Sequence, residues 1–299
     1  MKKYIILGSL ALFSLFLLLA FSTYWFIFGL DSWLFSRDLQ RPVDQRLLFV
    51  GNSFTYQNDI DQMVESLLEA QPGGADTVFS TRAAFGGYRL YDHIDDILDN
   101  EEGSPIRQFL LDGNEQTRNW DLVILQEQVE IPGLDTYEQE RETSHASGLK
   151  LGELAQNAGA KVMLLETWAG AYDPADPENP FPPFDVVQGY LVQANSDLAT
   201  IMQERGIDTA VAPAGRAFQI VYSEVMAEGV EPTTGDNRFL ALYSGDRKHA
   251  SLAGSYLTAA VIVAQYTQSP ISTTEWIPLG LDKEFAVYLR QVADKAVFE

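Results

Sequence analysis

No cysteine occurs in the 299 residues. That excludes disulfides, thiolate zinc sites and cysteine nucleophiles at once. Histidine is nearly absent too, with His93, His145 and His249 the whole complement. No His-Glu-x-x-His occurs and no two histidines stand at ligand spacing, so no metal is expected. Basic residues are outnumbered: 20 Lys and Arg against 42 Asp and Glu give a formal net charge of −22. Neutralising phosphates takes clustered Lys and Arg, which rules out a nucleic-acid partner. The same excess of carboxylates keeps a domain soluble and points to a monomer. Also missing are any internal repeat and the Gly-x-Ser-x-Gly pentapeptide that an α/β-hydrolase elbow requires.

Charge is missing locally as well. After Met1-Lys2-Lys3, residues 4–30 form one uncharged, strongly apolar run. A signal peptide's apolar region is about 7–15 residues long, whereas a bilayer-spanning helix takes about 20. No small-x-small cleavage site follows the run, and Trp25 and Trp33 suit an aromatic belt at the interface. The expectation is an uncleaved transmembrane anchor over residues 1–35, a linker over 36–45 and one domain over 46–299. Lys2 and Lys3 would stay cytoplasmic, leaving the domain on the outer side of the membrane.

What is present beyond residue 45 is alternation. Apolar, strand-like runs at 47–50, 77–83, 122–125, 162–165 and 209–212 are separated by amphipathic stretches at 60–70, 90–98 and 187–204. In the first of these, Ile60, Met63, Val64, Leu67 and Leu68 recur at helical spacing. Such alternation predicts a parallel sheet with helices on both faces, a three-layer α/β/α sandwich. A Pro-rich stretch over residues 173–185 is expected as a lid or rim, its prolines breaking any regular calcium-ligand spacing. Ligands in such sheets bind beyond the carboxyl ends of the strands, which narrows the search to the residues that follow each strand.

Four short segments stand there. Gly51-Asn52-Ser53-Phe54-Thr55 follows the first strand. Its Ser53 is either a helix cap or a hydroxyl exposed at an electropositive helix start, with a backbone N–H facing a developing oxyanion. Phe85-Gly86-Gly87-Tyr88 follows the second; glycine there permits close backbone approach to a ligand, or simply a tight turn. Gln126-Glu127-Gln128 follows the third, where a side-chain amide is a neutral, non-titrating donor. Last comes Gly245-Asp246-Arg247-Lys248-His249-Ala250-Ser251, ahead of the small apolar helix at 252–266. Asp and His three residues apart fit one short turn, the carboxylate fixing the imidazole tautomer; the alternative is a charged turn whose Ser251 caps the next helix. His93 and His145 fall in amphipathic or polar helical stretches and read as surface or core-edge residues. Trp168, after the fourth strand, either stacks on a substrate or packs under the long loop.

Together the four segments resemble the SGNH (GDSL-like) hydrolase family, in the branch with a Gly-Asn-Ser-Phe-Thr start and a Leu-Gln-Glu-Gln block. The resemblance spans about residues 47–266. It implies five parallel strands in the order 2-1-3-4-5, Ser53 as nucleophile, and His249 and Asp246 as base and orienting acid. It also implies an oxyanion hole from Ser53, Gly87 (or Gly86) and Gln128. The family's third block carries Gly-x-Asn-Asp, so Gln128 puts a longer arm at the Asn position. No cofactor is implied. The substrate expected is an O-acyl ester, acetyl on a carbohydrate, since an outward-facing anchored domain meets surface glycans. Lipid esters, and a non-hydrolytic binding or acyl-transfer role in envelope polysaccharide modification, are the alternatives.

Overall fold

The computed structural model describes residues 42–99, 104–112, 119–134, 138–175 and 181–299. The anchor expectation, most of the linker and the middle of the Pro-rich loop lie outside the described residues. Among the described residues, no helix is long and apolar enough to cross a membrane.

Apolar runs that lack an alternating polar face are satisfied only where a sheet is covered on both sides. Such runs form the inner strands, β1 (Gln45–Gly51), β3 (Leu122–Leu125) and β4 (Lys161–Leu165), while the edge strands β2 (Val78–Ala84) and β5 (Thr209–Ala212) are only partly covered, β2 carrying Ser80, Thr81 and Arg82. All pair in parallel, in the order β2-β1-β3-β4-β5. β1 begins at Gln45, the residue assigned to the end of the linker. In register, Leu47 stands beside Ser80 and Leu122, and Val50 beside Ala83 and Leu125. The ladder continues one step past β3, where the Gln126 N–H donates to the Val50 carbonyl at 2.9 Å. That step brings the segments after β1 and β3 side by side.

Besides short turns at Pro105–Arg107 and Glu130–Gly133, the helices among the described residues are α1 (Ser53–Tyr56), α2 (Ile60–Ala70), α3 (Leu90–Leu98), α4 (Glu138–Asn157), α5 (Phe184–Glu204), α6 (Ala214–Ala227), α7 (Leu252–Thr267) and α8 (Lys283–Phe298). α2 and α7 pack together on one face, with α8 and α6 against α7. α3, α4 and α5 follow one another on the other face. α6 and α8 are additions to the elements suggested by the sequence pattern. α2 buries Ile60, Met63, Val64, Leu67 and Leu68, as its spacing requires; each contributes about 1.5–3 kcal/mol over remaining exposed. α7 shows no polar face because it is enclosed all round: Ala253 through Ala264 are buried without a break. A Cβ at Gly254 would lie 2.1 Å from the Leu242 carbonyl oxygen, so only glycine lets α7 start against the loop that precedes residues 245–251.

Candidate active site

The chain leaves β1 at Gly51 and enters α1 at once. Asn52, fully buried, is the cap: its Oδ1 accepts from the Phe54 N–H at 3.0 Å. Ser53 is therefore the first helical residue and not the cap, and its hydroxyl has no role in satisfying the helix start. That hydroxyl lies 2.8 Å from His249 Nε2. His249 Nδ1 lies 2.5 Å from Asp246 Oδ2. Residues 196 positions apart thus form one hydrogen-bonded chain, Ser53–His249–Asp246, at the carboxyl edge of the sheet.

The turn that carries His249 is tied on every side. Asp246 Oδ1 accepts from the Ser244 hydroxyl at 2.7 Å and from the N–H groups of Lys248 and His249 at 3.0 Å each. Burial pushes the Asp246 carboxyl up, but hydrogen bonds from His249, from Ser244 and from these amides outweigh it and hold it well below the usual carboxylate range. Arg247, between acid and base, has a left-handed φ of 59° and donates from its guanidinium to the Thr233 carbonyl at 2.7 Å. Trp168 Nε1 donates to the Lys248 carbonyl at 3.0 Å, and its ring stacks on Phe218 at 4.6 Å. Trp168 is fully buried, so it supports the turn from below and is not a platform for substrate. Ser251 does cap α7, accepting from the Gly254 N–H.

The segment after β3 braces the turn of Ser53. Gln126, buried, offers Oε1 to the Asn52 N–H and to the Thr55 hydroxyl, both at 2.9 Å. Asn52 Nδ2 in turn donates to Gln128 Oε1 at 2.7 Å and to the Tyr88 carbonyl at 2.8 Å. Gln128 is thereby fixed with its oxygen toward Asn52, which leaves the Nε2 hydrogens as its available donors. Gly87 sits in the exposed turn after β2 with φ 74°, a left-handed conformation that favours glycine. Glu127 accepts from the N–H groups of Gln128 and Leu90 and from the Ser144 hydroxyl, so it holds the start of α3 and the middle of α4 to this segment. Burial pushes its carboxyl up to about 7, and these donors only partly offset that.

His93 departs from expectation. It is fully buried, not at a surface, and its Nε2 donates to the Gly51 carbonyl at 2.9 Å. Burial lowers its pKa, keeping the ring neutral. His145 is half-buried on α4, as a core-edge residue would be. Asp92, one of the acids beside His93, is engaged by Arg89 at 2.8 Å. Among the described residues no group of three or more His, Asp or Glu could hold a metal ion.

Between the Gln128 and His249 segments opens a cleft lined by Val129, Glu130, Tyr172, Phe181, Val187 and Lys248. Lys248 and Glu130 form an ion pair across it, and Tyr172 stacks on Phe181 at 4.8 Å.

Gln126 and Asn52 stand in the segments singled out from sequence, but their role in bracing Ser53 was not read there. A signal existed for Gln126: it continues the period-two face of Leu122 and Ile124, which points to the core beside α1 and α2.

No family model matches the chain, and no curated protein matches it in sequence. Solved structures do. A proposed SGNH hydrolase from Slackia heliotrinireducens is 23% identical, covers 74% of this chain and 98% of its own, and superposes with a TM-score of 0.55. A DUF4886 family protein from Bacteroides uniformis is 20% identical, with 85% and 94% covered and a TM-score of 0.59. These likenesses show the fold, which is that of the SGNH hydrolases.

Proposed function

We propose that the chain is a serine ester hydrolase. The observation that carries this reading is the Ser53–His249–Asp246 hydrogen-bonded chain on an SGNH fold. In this mechanism His249 Nε2 takes the Ser53 proton as Oγ attacks the acyl carbon, and Asp246 steadies the imidazolium that forms. The carbonyl oxygen, now negative, is held by the Ser53 and Gly87 N–H groups and by Gln128 Nε2. His249 returns its proton to the departing alcohol. Water then attacks the acyl-enzyme, gives a proton to His249 and releases the acid, restoring Ser53. No cofactor takes part in any step.

The acyl group proposed is acetyl, on a carbohydrate alcohol. The support for acetyl is the sequence reading, in which an outward-facing anchored domain meets surface glycans. The ion pair at the cleft also suits a hydroxyl-rich leaving group better than a hydrocarbon. The membrane anchor over residues 1–35, with the domain on the outer side, belongs to the same proposal and rests on sequence alone. The test is hydrolysis of p-nitrophenyl acetate, butyrate and octanoate by the full chain. Turnover falling steeply from acetate to octanoate is expected; no turnover on any ester by a folded protein would overturn the hydrolase reading.

A further inference from the structure

A second polar tie joins the two segments that carry Ser53 and His249. Asn58 Nδ2 donates to the Ala250 carbonyl at 3.1 Å and to Ser255 Oγ at 2.9 Å. Ala250 follows His249 directly, and Ser255 lies in the first turn of α7. On the other side, Asn58 sits in the short 3-10 turn that continues from α1. Its amide therefore bridges from the nucleophile's helix to the base's turn, at a point separate from the Ser53–His249 bond itself.

The backbone around Asn58 is unusual. Asn58 has φ 55° and ψ 22°, and Asp59 has φ 53° and ψ 54°, two consecutive left-handed residues without a glycine. Asn and Asp tolerate this region best among residues with a side chain. Asp59 is fastened by Arg82 at 2.8 Å, and the same Arg82 nitrogen reaches Asp61 at 2.6 Å. Four non-glycine residues have positive φ among the described residues, and three of them, Asn58, Asp59 and Arg247, flank Ser53 or His249. Glycine would adopt this conformation freely but would present nothing to Ala250 and Ser255. The side chain, not the turn, explains an asparagine here.

We propose that Asn58 is a positioning residue that sets the reach between Ser53 Oγ and His249 Nε2. The proposal rests on the reading of these two residues as nucleophile and base. Asn58 touches neither substrate nor reacting atoms; it acts by holding the start of α7, and with it the His249 turn, against the nucleophile's segment. A shift of about 1 Å between reacting groups costs on the order of 100-fold in rate.

Two variants of the full chain test this. Asn58→Gly removes the amide while easing the left-handed backbone, so relief at the turn offsets part of the loss of two hydrogen bonds and the thermal midpoint should fall by only a few degrees. Its kcat on p-nitrophenyl acetate should nevertheless fall about 10- to 100-fold, with KM within about twofold. Asn58→Asp keeps size and left-handed tolerance but cannot donate to the Ala250 carbonyl, and should lose kcat likewise. Wild-type kcat in Asn58→Gly would overturn the proposal, because a residue needed only for the turn is fully replaced by glycine. A crystal structure of Asn58→Gly reads the geometry without turnover. Ser53 Oγ and His249 Nε2 should separate beyond hydrogen-bonding reach, and an unchanged 2.8 Å contact would overturn it. If the parent chain proves inactive while this pair opens in the variant, the hydrolase reading fails and the positioning role stands.

Discussion

Moving the capping oxygen from Ser53 to Asn52 is what leaves a hydroxyl free at the end of β1. The cap and the candidate nucleophile are adjacent residues with separate duties, so they can be separated by mutation. Ser53→Ala leaves the Asn52 cap bond in place and should keep the thermal midpoint of the parent. Losing the nucleophile of such a triad costs about 10⁶-fold in kcat, so residual turnover should be close to background; a variant retaining parental turnover would remove Ser53 from the mechanism. Asp246 resists burial's upward push through its bonds from His249, Ser244 and two amides and stays ionised well below the usual range, so it remains the acceptor that fixes the imidazole tautomer. Asp246→Asn should lower kcat by about 10⁴-fold, because the tautomer is no longer fixed.

At the scale of elements, the turn of Ser53, the candidate nucleophile, is held by the strand next to it. Asn52 and Thr55 are fully buried, and both donate to the one Gln126 oxygen. Gln126→Leu fills the same space but orphans both donors, at about 1–3 kcal/mol for each unsatisfied group. Urea unfolding should show a lower midpoint with an unchanged slope, and esterase turnover should fall with the loosened turn. An unchanged midpoint would mean that neither bond matters to the fold. The inner strands β1, β3 and β4 were legible from sequence because a doubly covered parallel sheet demands continuous apolar runs, and all five strands lie within a residue or two of expectation. The hydrogen-bonded set of Ser53, His249 and Asp246 was legible because the Ser53 motif follows β1 and the Asp246–His249 spacing stands just ahead of the apolar helix α7. The side chains around them were not. Whether Trp168 faces the cleft or the core depends on the path of the loop after β4, which no local pattern records. His93 lies on an amphipathic helix, and only the packing of α3 against the end of β1 shows that its ring is enclosed.

Across the whole molecule, two buried carboxyls make stability depend on pH near neutrality. Glu127 holds α3 and α4 to the segment after β3, and Glu166, buried after β4, accepts from the Arg216 N–H at 2.8 Å at the start of α6. Burial raises each from 4.5 to about 7. In the unfolded chain both would lose their protons near 4.5, while the folded chain keeps them until about 7. The folded state therefore binds more protons than the unfolded state throughout that window, and stability falls as pH rises through it. Above about 7 both states are ionised and this contribution levels off. Asp246 works in the opposite sense, but its loss of stability comes only as pH falls below 3.8, so the two effects do not overlap. Glu166→Gln keeps an oxygen for the Arg216 N–H and removes the titrating proton. Thermal midpoints measured from pH 5 to 7.5 should decline less steeply in Glu166→Gln than in the parent, with the two proteins closest at pH 5. Parallel declines would show that the Glu166 carboxyl is ionised in the folded state across the whole range, its burial being compensated by the Arg216 N–H and the Gln188 amide.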